Sequence, residues 1–124
     1  MDVDTLVRRY LGALAAADPD AATALFAPDG TVVSPLYGTL PAAEFYPALF
    51  ADTASSVLHH RRTLTAEGTV AFWFDFDWVL ADGTPAPFTV VDVAELADDG
   101  RIERLHIVYD THPLRAAWER QRDD

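Results

Sequence analysis

Residues 70–80 read VAFWFDFDWVL, and this stretch decides the fold class. Side chains alternate between the two faces of an extended strand, so one face here carries only apolar residues and the other carries Asp75 and Asp77. A strand of this kind covers a hydrophobic core with one face only. The face expected to turn towards the core consists of Val70, Phe72, Phe74, Phe76, Trp78 and Leu80.

Three more strands are predicted around this stretch, over residues 55–66, 88–96 and 102–110. Glycine-containing turns separate them, and the strongest signal is the DDG hairpin turn at 98–100. Four consecutive strands joined by short turns predict an antiparallel meander.

The first half of the chain is mostly helical in pattern. A first helix is predicted over 3–17, a second helix from Pro19 through Ala27, and a turn at 27–30. A strand over 31–34 closed by Pro35, a loop over 36–40 and a third helix from Pro41 to near Asp52 follow. After the meander, a last helix is predicted over 114–122. Pro47 lies inside the third helix and predicts a kink or a late start there. Helices followed by a meander indicate an α+β fold, in a single domain spanning residues 1–124.

The composition narrows the classes of function. The 124 residues carry a formal net charge of −11, which argues against nucleic acid and against an anionic membrane surface as partners. Lysine and cysteine are absent, which excludes Schiff-base chemistry, disulfides, thiolate catalysis and cysteine-bound zinc. No histidines and carboxylates stand at metal-ligand spacing, so neither a metal nor another cofactor is expected. The acidic N-terminus lacks a signal-peptide pattern, and the expected location is the cytoplasm.

Asp92 is the most informative polar residue. It shares one side of the predicted 88–96 strand with Phe88, Val90 and two further apolar residues. An ionised carboxylate on that side would pay a large desolvation penalty unless it were paired, hydrated in a cavity or protonated. Alternatively, the two valines that flank Asp92 face the core and the carboxylate is solvated.

Tyr10 is the second informative residue. It lies on the apolar stripe of the first predicted helix, so its ring is expected to point towards the sheet. Taken alone, it fits a core tyrosine whose hydroxyl reaches the edge of the core.

Several stretches resemble a known superfamily. Residues 7–18 (VRRYLGALAAAD) and 24–32 (ALFAPDGTV) resemble the start of nuclear-transport-factor-2-like proteins, and 91–96 (VDVAEL) followed by 99–102 (DGRI) is similar to a later part. The superfamily includes ketosteroid isomerases, SnoaL-like polyketide cyclases, limonene epoxide hydrolases and scytalone dehydratases. The resemblance covers nearly the whole chain. It implies a cone-shaped α+β fold, in which a curved, mostly antiparallel sheet wraps around the N-terminal helices and a C-terminal helix follows.

The ketosteroid isomerase pattern resembles this chain most closely. The resemblance implies that Tyr10 and Asp92 are oxyanion-hole residues that donate hydrogen bonds to a developing enolate oxygen. The family's general base is an aspartate just before a proline at the end of the first strand. Ser34 stands at that position here, before Pro35, and an unactivated serine hydroxyl is a poor base.

Other polar candidates are weaker. If Leu58 and Leu64 face inward, His60 and Arg62 share the inward side of the strand, and His60 could supply the missing base. The alternative is that His60 lies at the sheet edge or in a dimer contact. Tyr37 fits either a lid over the pocket or an ordinary turn. The residues expected to line the pocket are Phe72, Phe74, Phe76, Trp78, Phe88, Leu105, Ile107, Tyr109 and Tyr37.

The sequence therefore predicts a protein with a pocket for a small apolar or cyclic organic molecule. One hypothesis is a cofactor-free isomerase, cyclase or dehydratase that stabilises an enolate. The alternatives are a binding module without catalysis and a scaffold whose own side chains fill the pocket. Trp73 and Val79 lie on the outer side of the sheet, and this apolar patch favours a homodimer.

Overall fold

The alternating stretch forms a long strand, as its pattern predicts. The computed structural model describes residues 1–123. Within that range the helices are α1 (Val3–Ala16), α2 (Pro19–Thr23), α3 (Ala42–Ala51) and α4 (His112–Asp123), and the strands are β1 (Phe26–Ser34), β2 (Gly38–Pro41), β3 (Thr53–Ala66), β4 (Thr69–Leu80), β5 (Phe88–Leu96) and β6 (Ile102–Val108). The α+β fold is confirmed, with one short strand, β2, that the sequence did not predict.

The strands form one open, curved sheet in the spatial order β2-β1-β6-β5-β4-β3. All neighbouring strands are antiparallel except β1 and β6, which run parallel. Helix α1 packs against β3, and α3 packs against β1 and β2, so the helices cover one face of the sheet. All six residues expected on the inner face of β4 are buried against them.

The start of β1 corrects two predictions. Helix α2 ends at Thr23 rather than at Ala27, and residues 27–30 are extended rather than a turn. Between the pairs Phe26–Ile102 and Thr31–Arg104, β1 advances by five residues while β6 advances by two. A Cβ atom on Gly30 would lie 2.9 Å from the Ile102 carbonyl oxygen, so glycine gives the room for this irregularity. The PDG sequence therefore marks a bulge and not a chain reversal.

The region after β1 differs from its prediction as well. Residues 38–40 of the expected loop, together with Pro41, form β2, which pairs with the end of β1 through a turn at Gly38, whose φ is +78°. Helix α3 begins directly after Pro41 and continues past Pro47, so a late start is wrong. At the other end of the chain, β6 stops at Val108, two residues before the predicted end.

A bulge in β3 changes which residues face inward. The register shifts between the pairs His60–Phe74 and Arg62–Trp73. Because one extra residue reverses the alternation, Arg62 lies on the outer face and does not share a side with His60. Leu64 also lies outside and is 65% exposed. The expected inward set on this strand is therefore wrong beyond position 60.

Within residues 1–123, no helix has both the length and the apolar character needed to cross a membrane.

Candidate functional site

A cavity lies between the helices and the inner face of the sheet. Together with its open mouth, it contains about 440 Å³ of space free of protein atoms. The centre of a water molecule can move within only about 40 Å³ without touching the walls. The cavity is therefore narrow. Its lining consists of Tyr10, Leu14, Ser34, Leu36, Tyr37, Phe45, Leu49, Phe74, Phe76, Trp78, Phe88, Val90, Asp92, Ile107 and Tyr109.

Most of the expected aromatic lining is present, with two corrections. Phe72 is buried against the ring of Tyr10, with the ring centres 5.4 Å apart, and does not line the cavity. Leu105 is fully buried in the core and does not line it either. Both residues lie on the predicted side of the sheet, but Phe72 is covered by Tyr10 and Leu105 is enclosed in the core.

Parallel aromatic rings form one wall of the cavity. The rings of Phe76 and Phe88 stack with centres 5.1 Å apart, and Phe88 and Tyr109 stack at 4.1 Å. The indole nitrogen of Trp78 donates a hydrogen bond to Thr53 at 2.9 Å, which fixes the orientation of that ring. Flat, preordered rings favour contact with an unsaturated or cyclic ligand.

Asp92 points into this apolar space. It pairs with Phe72 on β4 and with Ile107 on β6, and it is only 2% exposed. Burial raises the pKa of Asp92 well above its usual range, and a weaker interaction with the Tyr10 hydroxyl opposes the shift. Its Oδ1 atom has no hydrogen-bond partner within residues 1–123. The solvated alternative is therefore wrong, and burial favours the protonated carboxyl, which can donate a hydrogen bond.

Tyr10 is positioned by a residue that sequence reasoning missed. The buried Tyr46 hydroxyl of α3 donates a hydrogen bond to the Tyr10 hydroxyl oxygen at 2.9 Å. Burial, together with nearby Tyr46 and Asp92, raises the pKa of Tyr10 well above its usual range. Both phenols therefore keep their protons, and the Tyr10 hydroxyl can donate its proton in a hydrogen bond to another acceptor. The i, i+4, i+7 spacing of Ala42, Tyr46 and Leu49 was the available signal.

Ser34 lines the cavity at the end of β1. Its Oγ atom accepts hydrogen bonds from the backbone N–H groups of Leu36 and Tyr37, both at 3.2 Å. These bonds occupy the oxygen's acceptor capacity. Ser34 is thus where the sequence placed it, but it cannot act as a proton acceptor in this arrangement.

His60 does not reach the cavity. It is exposed beside α1, and its Nε2 atom lies 2.8 Å from the Thr63 hydroxyl. None of the cavity-lining residues described is a histidine, and Asp92 is the one carboxyl group among them. Within residues 1–123, no three histidine or acidic side chains are close enough together to hold a metal ion.

Tyr37 is held at the rim of the cavity by α4. Its hydroxyl donates a hydrogen bond to Asp52 at 2.6 Å, and this bond and its burial raise its pKa. Arg122 of α4 forms an ion pair with Asp52 at 3.5 Å. The Arg122 guanidinium also lies 5.4 Å from the ring centre of Tyr37 and 4.3 Å from that of Trp118. The C-terminal helix and the loop after β1 are therefore linked beside the cavity.

Residues 7–105 match the sequence model of the SnoaL-like domain. This chain belongs to the SnoaL-like domain family. The match confirms the resemblance to the nuclear-transport-factor-2-like superfamily. A search of curated proteins gives no match to this SnoaL-like protein.

Solved structures share the fold at low sequence identity. A hypothetical protein of ketosteroid isomerase-like fold from Catenulispora acidiphila, in complex with trimethylamine, is 18% identical with a TM-score of 0.79, covering 90% of this chain and 89% of that chain. TerC, co-crystallised with polyporic acid, is 19% identical with a TM-score of 0.77, covering 91% and 95%. SalBIII, an epoxide hydrolase/cyclase-like enzyme in pyran ring formation in salinomycin, is 15% identical with a TM-score of 0.76, covering 89% and 92%.

Proposed function

We propose that this SnoaL-like protein binds a small, flat organic molecule in the cavity and holds one of its oxygen atoms with Tyr10 and Asp92. The observation that carries this proposal is the unpartnered Asp92 carboxyl oxygen in an apolar cavity. Leaving a buried polar atom unpaired costs about 1–3 kcal/mol, so a group of this kind is kept for a ligand that pairs with it.

The chemistry that fits this pair is stabilisation of an enolate, as in an isomerase or a cyclase. Tyr46 donates to Tyr10, so the Tyr10 proton and the Asp92 proton are both available to an oxygen that gains negative charge. Preordered donors in a cavity without competing water stabilise such charge more strongly than water does. In an aldol ring closure of a substrate that contains its own enol, the enol carbon bonds to a carbonyl carbon and the π bond of that carbonyl breaks. The enol O–H proton passes to the new alkoxide oxygen, so this reaction needs no base from the cavity lining.

A second candidate is binding without catalysis. The observation that favours it is the state of Ser34, whose Oγ already accepts two backbone hydrogen bonds at the place where the related isomerases keep a base. Asp92 holds its proton and is no base either. A reaction that requires a proton to be removed by the protein therefore lacks its base among the described lining residues.

Substitutions of the two donors separate these candidates. If the protein is an enzyme of the proposed kind, it accelerates the aldol ring closure of an already enolised 1,3-diketone that carries a carbonyl side chain, and the loss of the enol's ultraviolet absorbance detects this reaction. Asp92→Asn and Tyr10→Phe should each lower kcat by about 100-fold or more. Wild-type binding of a cyclic ketone without any turnover would favour the binding module. Absence of binding would contradict both candidates.

The names of the related structures agree with a small-molecule pocket. One was solved with trimethylamine, another with polyporic acid, and a third acts in pyran ring formation. These ligands and reactions belong to those proteins, and the present proposal takes from them only the class of ligand.

We also propose that the protein forms a homodimer through the outer face of the sheet. Trp73 is 37% exposed there, and Leu64, Val57 and Val108 are more than half exposed on the same face. The guanidinium of Arg61 lies 5.0 Å from the Trp73 ring centre and leaves part of the ring open. An apolar face of this kind is typical of an interface between subunits.

A further inference from the structure

We propose that Ser34 is a second hydrogen-bond donor in the cavity, opposite Asp92, and that the ligand therefore carries two oxygen acceptors. This inference rests on the proposed function, because it concerns the same cavity and the same bound molecule. It assigns to Ser34 a role in ligand selection, which differs from the role of a base.

The hydrogen bonds of Ser34 determine the direction of its hydroxyl proton. Two backbone N–H groups, from Leu36 and Tyr37, occupy the acceptor side of Oγ. Within residues 1–123, Oγ donates to no acceptor. A hydroxyl has one proton to donate, and Ser34 borders the cavity, so this proton is available to a bound molecule. The turn after β1 thus makes the serine a donor.

Strand register places Ser34 and Asp92 in one row across the sheet. Asp92 on β5 pairs with Ile107 on β6, and Val33 on β1 pairs with His106 on β6. Because β1 and β6 run parallel, the next residue, Ser34, is level with Ile107. All three side chains lie on the inner side and line the cavity. The two donors therefore face the ligand from either side of Ile107.

The spacing of this row limits the ligand. Neighbouring strands lie about 4.8 Å apart, so the backbones at Ser34 and Asp92 are separated by roughly 9–10 Å. Curvature of the sheet brings side chains on the inner side closer together than that. Acceptor oxygens on opposite edges of a one- or two-ring molecule match this separation. Among the described residues, no lysine, arginine or histidine lines the cavity to balance a negative charge, so an uncharged dicarbonyl compound of the quinone or cyclic diketone class fits best.

Two uncharged two-ring probes test the inference by calorimetry. 1,4-Naphthoquinone has two carbonyl oxygens on opposite edges, and 1-tetralone has one. The chain has no cysteine and no lysine, so covalent addition of these side chains to the quinone is excluded. We expect the quinone to bind more tightly, and Ser34→Ala to weaken quinone binding about tenfold while changing tetralone binding by less than about twofold.

A conservative variant separates donation from a change in the loop. Ser34→Thr keeps a hydroxyl with the same capacity to accept and donate, so it should retain the quinone affinity that Ser34→Ala loses. Equal weakening of both probes by Ser34→Ala, or no weakening of either, would overturn the inference while the proposed function stands. Wild-type protein that binds neither probe would instead count against the proposed function itself.

Discussion

Replacing Asp92 with asparagine is expected to change how stability depends on pH. Burial raises the pKa of Asp92 in the folded state well above its usual range, whereas the unfolded chain releases this proton near a pKa of about 3.9. Between those two values the folded state binds a proton that the unfolded state does not. The free energy of unfolding of the wild type therefore falls as the pH rises through this interval. Asparagine does not titrate, so the variant lacks this contribution.

The size of the effect follows from one proton. Its contribution changes by about 1.4 kcal/mol per pH unit while the folded carboxyl remains protonated and the unfolded one is ionised. Between about pH 4.5 and about pH 6.5, the stability of Asp92→Asn relative to the wild type should therefore rise by up to roughly 2.7 kcal/mol, the limit for a folded carboxyl that stays protonated throughout. Other groups titrate in both proteins and cancel in the difference.

Urea unfolding at several pH values, followed by tryptophan fluorescence, measures this difference. Asp75→Asn is the matched control, because hydrogen bonds from Arg61 and Thr89 lower the pKa of this half-buried carboxyl on the outer face. The contribution of Asp75 is present above its unfolded pKa and is lost only as the pH falls below it, so its variant should stay parallel to the wild type in this window. If Asp92→Asn also runs parallel to the wild type, the carboxyl is ionised when folded and the reasoning fails.

Three further substitutions test the remaining contacts. Tyr46→Phe removes the donor to Tyr10 and should lower the free energy of unfolding by about 1 kcal/mol; an unchanged stability in urea would contradict the buried bond. Trp73→Glu should convert a dimer to a monomer in analytical ultracentrifugation, and a wild type that sediments as a monomer would refute the interface. Arg122→Ala removes the ion pair and the cation–π contacts beside Tyr37, so a bound ketone should dissociate about two- to fivefold faster. Stopped-flow measurements give this rate, and an unchanged rate would show that the C-terminal helix does not control release from the cavity.

The side of the sheet on which Asp92 lies could be predicted from sequence. Side chains alternate along a strand, so Asp92 shares one side of β5 with Phe88 and Val90. The neighbouring strand β4 has one wholly apolar side, and this side faces the same core as Asp92. Tyr10 was found for a similar reason, since α1 has a clear apolar stripe.

The positions that could not be predicted depend on irregular backbone or on long-range contacts. One extra residue near Arg61 reverses the alternation of β3, and a bulge of this kind has no dependable sequence signature. Helix α3 is apolar on most of its surface, so the helical spacing of Ala42, Tyr46 and Leu49 marks a buried stripe but does not give Tyr46 a polar role. The hydrogen bonds that occupy the acceptor side of the Ser34 oxygen arise in the turn to Leu36 and Tyr37, which sequence reasoning treated as a loop.

The state of the Asp92 proton is the central claim, and carbon-13 NMR of the side-chain carboxyl measures it most directly. Selective labelling of aspartate, with Asp92→Asn to assign the signal, gives the titration of this one group. The structure predicts that the Asp92 carboxyl keeps the chemical shift of a protonated acid at neutral pH, because burial raises its pKa well above the usual range. A titration midpoint near a pKa of about 3.9 would show an ionised, solvated carboxylate and would contradict the account.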